Sequence, residues 1–247
     1  MITLYAIGLV TMVVAATLAG GAVPLRWERH SRLMLSFSAG TLVGLALIEL
    51  IPEALTVSHF DPRARLLVVL AAFLLTMLLD KLHVLHPHPH GMEAGCPDVE
   101  HSHPPLAMHG AVGLLIHSVV DGLALAAALR QSAGAAVAVG VALSAHKFAD
   151  GLSTVALVLG HHHRRRQAVG MLLGNASVFL LGVAAGMLFV FGEGQLATLL
   201  LVMAGFFLYL GATDLIPALT TPVCRTRDVV ATALGMAVIA LVSALAH

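Results

Sequence analysis

The heptapeptides His117-Ser118-Val119-Val120-Asp121-Gly122-Leu123 and His146-Lys147-Phe148-Ala149-Asp150-Gly151-Leu152 are two copies of one pattern: histidine, three residues, aspartate, glycine, leucine. Each sits inside an apolar stretch of about 20 residues, the length that crosses a hydrocarbon core. An aspartate or lysine at the centre of such a helix costs roughly 2.5–3.5 kcal/mol on insertion scales, so it persists only beside a cavity, a partner or an ion. Residues four apart share a helical face, which stacks His117 over Asp121 and His146 over Asp150. Where the two faces meet, two imidazoles and two carboxylates converge. Imidazole suits zinc and iron, and carboxylate widens the choice toward manganese. Hydrogen-bonded His–Asp pairs tying helices together would use the same spacing, but a duplicated pair on adjacent spans favours a metal.

Working outward, the composition decides the setting. Of 247 residues, 59% are hydrophobic and only 11% are charged, against about 25% charged in a soluble domain. Such a chain cannot cover a water-soluble surface, and it reads as an all-α polytopic membrane protein. Formal net charge is zero, which gives no indication of nucleic-acid binding. Cys96 and Cys224 form neither a CxxC pair nor a disulfide framework.

Charged and Pro/Gly-rich breaks divide the chain into eight expected transmembrane helices: 3–23, 34–55, 64–85, 106–129, 134–159, 167–190, 195–219 and 229–246. The first has no basic residue before it and is too long for a signal-peptide core. Between spans 3 and 4 lies a His-rich loop, 86–105. Arg26, Arg29, Arg32, Lys81, Arg164, Arg165, Arg166, Arg225 and Arg227 fall on one face, and Arg63, Arg65 and Arg130 on the other. The more basic face belongs in the cytoplasm. Both termini are then outside the cell, in a multi-pass inner or plasma membrane protein whose His-rich loop is cytoplasmic.

A second internal match joins Glu49-Leu50-Ile51-Pro52-Glu53-Ala54-Leu55 to Asp214-Leu215-Ile216-Pro217-Ala218-Leu219. Spans 4 and 5 cross in opposite senses, as do spans 2 and 7, so both matches describe inverted repeats, which place a substrate site near mid-membrane in many transporters. Glu49 and Glu53 are expected to line an outer vestibule, with Glu53 equally a solvated residue at the external end of its helix, and Asp214, deeper in its span, to gate the pathway. Lys147 has three places to go: toward the carboxylates as a fixed counter-cation, to Asp214, or to the membrane surface. Gly122 and Gly151 serve either close helix packing or the approach of a neighbouring backbone, or of an ion's water shell, to the aspartate. Pro52 and Pro217 should bend their spans. In the loop region, His83, His86, His88, His90, His101 and His103 form a non-helical tract that binds metal weakly.

These motifs resemble the ZIP (Zrt/Irt-like) family of divalent-metal transporters over nearly the whole chain. The pattern HSVVDG in span 4 looks like the family signature, HKFADG in span 5 like its partner, and the span 2 and span 7 segments are also family-like. The resemblance implies a metal site between spans 4 and 5, often binuclear in bacterial members, with His117, Asp121, His146 and Asp150 as the primary ligands. It further implies ion movement into the cytoplasm, with zinc the first expectation and iron, manganese or cadmium the others. This chain departs from the family at the second-ion positions, where Ser118 and Lys147 stand and where span 6 offers Asn175 rather than an acid. One metal ion is therefore expected, with the Lys147 ammonium in place of the second. Ligation needs unprotonated imidazole, so uptake is expected to weaken below about pH 6, near the ordinary histidine pKa. Small-residue faces such as 182–186 allow a homodimer. The competing reading is an integral-membrane zinc-dependent hydrolase, in which the same pairs would hold an activated water.

Overall fold

The computed structural model describes residues 2–27, 30–56, 61–81, 104–160, 164–190, 192–216 and 226–246. Within them, eight helices are long and apolar enough to cross a membrane, and no strand occurs. They are α1 (Ile2–Arg26), α2 (31–56), α3 (Pro62–Lys81), α4 (Pro104–Gln131), α5 (Ala133–Gly160), α6 (Arg165–Leu188), α7 (193–216) and α8 (Thr226–Ala246). The all-helical result follows from the solvent. In lipid, each backbone N–H and C=O must be satisfied within its own segment.

Polarity is distributed inside out. Leu66, Leu70, Leu74 and Leu78 of α3 and Leu173, Leu180 and Leu181 of α6 are exposed, where lipid would lie, while Thr41, Ser118, Asp121, Lys147, Asp150 and Asn175 are buried. Helices start and stop on local signals. Gln167 and Gln195 accept hydrogen bonds from the backbone N–H groups of Arg164 and Gly192, at 2.9 and 3.0 Å, which begins α6 and α7. At Ser132 the chain turns from α4 into α5, and the Ser132 hydroxyl accepts the Ala135 N–H at 3.1 Å. Beside that turn, Arg130 donates to the last carbonyls of α6, Gly186 and Met187.

Helix pairing has an internal symmetry. α1 packs along α5 and α6 along α4, α2 packs along α8 and α7 along α3, and α4 packs on α5. Exchanging 1 with 6, 2 with 7, 3 with 8 and 4 with 5 maps this pattern onto itself, as inverted repeats require. Glycines set the close approaches. A Cβ on Gly122 would overlap the backbone of Phe179, Gly182 and Val183 in α6, and one on Gly151 would overlap Thr17 and Gly21 in α1. Of the two roles open to these glycines, they fill the packing one: their open side meets a neighbouring backbone. Gly205 does the same between α7 and α3, and Gly40 and Gly235 between α2 and α8.

The span 2 and span 7 motifs share an irregularity. Leu45–Leu50 in α2 and Tyr209–Leu215 in α7 are π-helical turns, closed by Ile51 N–H to Ala46 O and Ile216 N–H to Gly211 O. In sequence each closing isoleucine precedes a proline, whose missing N–H cannot continue the regular ladder. The α2 irregularity is thus a widened turn just before Pro52. Such turns often mark functional positions. Pro217 lies outside the described residues.

Candidate metal centre

α4 and α5 meet with their His/Asp faces toward each other. One donor atom from each of His117, Asp121, His146 and Asp150 lies within 4.8 Å of all the others, and the four residues are buried. His117 Nε2 stands 3.4 Å from Asp121 Oδ2 and 3.9 Å from Asp150 Oδ2, and His146 Nε2 stands 3.6 Å from Asp121 Oδ2. These gaps exceed the usual N–H···O range of about 2.7–3.2 Å. Donors held about 2.0–2.2 Å from a tetrahedral ion stand about 3.4 Å apart. Among the described residues, neither ring nitrogen of His117 nor of His146 has a hydrogen-bond partner of good geometry. Leaving a buried polar atom unpaired costs about 1–3 kcal/mol, and a cation between these atoms would use the two Nε2 lone pairs. The hydrogen-bonded His–Asp alternative does not describe this geometry.

Lys147 takes the first of its three places. Fully buried, its Nζ lies 2.7 Å from Asp121 Oδ2 and 3.0 Å from Asp150 Oδ2. It also donates to Ser118 Oγ at 2.5 Å. Ser118 Oγ is in turn 2.5 Å from Asn175 Oδ1, and Asn175 Nδ2 donates to Thr154 Oγ1 at 3.0 Å. This chain of contacts runs from α5 through α4 to α6 and back to α5, so ammonium, hydroxyl and amide fill the positions next to the carboxylates.

Glu49 lies beside the cluster. The π-helical turn of α2 brings its Oε1 to 2.8 Å from His146 Nδ1, a close but poorly aligned pair, and catalytic and ligand hydrogen bonds often tighten only once a site is loaded. The α2 motif alone carried no signal for this contact, because it depends on how α2 lies across α5. Glu53, one turn further on, is exposed and has no described contact with the cluster. Asp214 lies on the α7 π-helical turn, and its side chain is outside the described residues, as are His83, His86, His88, His90, His101 and His103. From α7, Phe207 meets the His117 ring edge-on, with centroids 5.4 Å apart. Sequence reasoning also missed the buried Thr41–Ser153 hydrogen bond of 3.0 Å between α2 and α5.

Two charged groups besides Asp121 and Asp150 stand at the cluster. By formal charge Lys147 offsets one carboxylate, and Glu49 adds a third beside His146. The described cluster then carries the two negative charges that match a divalent cation.

A family model described as ZIP Zinc transporter matches residues 83–243. The chain belongs to the ZIP family. It is a multi-pass membrane protein of a family whose members are metal transporters, not enzymes, so the membrane hydrolase reading drops out. The matched segment contains both His/Asp pairs and the α7 turn, while α1, α2 and α3 precede it. No curated protein matches the chain.

Proposed function

We propose that this ZIP protein carries a divalent transition metal, zinc first, with iron, manganese or cadmium as the alternatives, into the cytoplasm through a single-ion site formed by His117, Asp121, His146 and Asp150. The observation that carries the reading is the convergence of those four buried donors within 4.8 Å. A hydrated ion entering the site exchanges water for two imidazole nitrogens and two carboxylates, and leaves when the helix groups shift to expose the site to the other side. Lys147 and Ser118 take the place of a second ion's ligands, with the ammonium against both aspartates. Asp214 and Glu53 belong to the path, and the 86–105 loop offers weak transient ligands on the cytoplasmic side. The protein sits in the inner or plasma membrane with both termini outside; the glycines of the 182–186 face, Gly182 and Gly186, pack against α4 within the chain.

Radiotracer zinc uptake by proteoliposomes tests the assignment. His117→Ala and Asp150→Ala are each expected to cut uptake at least tenfold, and normal uptake by either would remove the site. A competition series with iron, manganese, cobalt and cadmium ranks the substrates. Metal content of the loaded protein separates one ion per chain from two.

A further inference from the structure

We propose that Glu49 is a positioning residue for the metal site: by accepting the Nδ1 proton of His146 it holds that ring with Nε2 facing the ion. The proposal rests on the reading of His146 as a ligand. Glu49 Oε1 lies 2.8 Å from His146 Nδ1, with both side chains largely enclosed. An ionised carboxylate only accepts hydrogen bonds, so in the loaded site Nδ1 would donate to Glu49, and Nε2 would be the nitrogen left to ligate. Nε2 is the nitrogen turned toward Asp121, 3.6 Å away. Metal-ligating histidines commonly give their other N–H to a carboxylate, which fixes the tautomer and the ring orientation.

Two features make Glu49 more than a neighbour. It comes from α2, outside the α4–α5 pair that bears the four donors, and it sits on the π-helical turn Leu45–Leu50, whose extra residue shifts the register of the rest of the helix. His117, the symmetry mate of His146, has no comparable partner among the described residues and instead packs edge-on against Phe207. One histidine of the pair is therefore pre-oriented and the other is left to adjust to the ion.

The test measures zinc affinity of the full-length protein in detergent by competition with a chelating dye. Glu49→Ala and Glu49→Leu, which lack an acceptor, are expected to weaken binding about 10–100-fold. Glu49→Gln, which keeps one, should stay within about threefold of wild type. Added to His146→Ala, Glu49→Ala should change affinity less than about twofold, since a residue acting through His146 has nothing left to act on. Wild-type affinity in Glu49→Ala or Glu49→Leu overturns the proposal. So does equal loss from Glu49→Ala in both backgrounds, or a Glu49→Gln as weak as Glu49→Leu. Should Glu49→Ala not fold, Glu49→Leu decides that arm. Wild-type binding by His117→Ala and Asp150→Ala would instead overturn the transport-site reading itself.

Discussion

The half-sites on α4 and α5 share a motif and a scaffold but not a chemistry. In both, histidine and aspartate stack on one face, and the glycine after the aspartate lets a flanking helix come close, α6 behind α4 and α1 behind α5. Around that frame the neighbours differ. His117 is followed by Ser118 and faces Phe207, whereas His146 is followed by Lys147 and faces Glu49. The repeat places the four candidate donors, and the residues that break the repeat set the charge around them. A duplicated pair can thus keep its geometry symmetric while the residues around its two halves differ, Ser118 on α4 and Lys147 on α5.

The largest expected effect comes from breaking what the halves share. Asp121 is the carboxylate that both imidazoles and Lys147 approach. Asp121→Ala should abolish measurable zinc uptake and cost about 3–5 kcal/mol of stability, because it strips the buried ammonium of a partner. A thermal melt and an uptake assay on the same preparation check both parts.

Lys147→Met tests the asymmetry directly. It leaves two buried aspartates without their cation, so the zinc-free protein should lose about 3–5 kcal/mol. Zinc should restore much of that loss through binding to the native state alone. Melting with and without zinc gives the answer, and equal destabilisation in both conditions would mean that Lys147 does not stand in for an ion.

Next come the shared glycines. Gly151→Ala pushes a methyl group into the α1 backbone and Gly122→Ala does so in α6, so each should cost about 1–3 kcal/mol from overpacking. Similar losses at both positions would confirm equivalent scaffolds, and a loss at one alone would break the comparison. The smallest effects lie at single contacts. Thr41→Val, which removes the hydrogen bond to Ser153, should cost about 1 kcal/mol. Arg130→Ala, at the exposed end of α6, should cost about 0.5 kcal/mol.

The fold was legible because the bilayer imposes simple rules on sequence. Apolar length marks each helix, and intramembrane charges stand out against it, so His117, Asp121, His146 and Asp150 could be picked out by spacing alone. Lys147 could not be placed: one residue past His146, its long side chain reaches in several directions from the same backbone position. The contact of Glu49 with His146 was not legible for a related reason. The glutamate's distance from the membrane surface can be counted, but its neighbour on another helix cannot.

What the sequence by itself determined, then, was the number of apolar helices, the duplicated pairs and the departure at Ser118 and Lys147, because periodicity and composition are local properties that survive without knowledge of neighbours. The tertiary structure decided that the ammonium rests on both aspartates, that the glycines pack rather than admit water, and that a π-helical turn carries Glu49 to His146. Those outcomes depend on the crossing of α2, α4, α5 and α6, where a shift of one residue in register changes which side chains share a buried space.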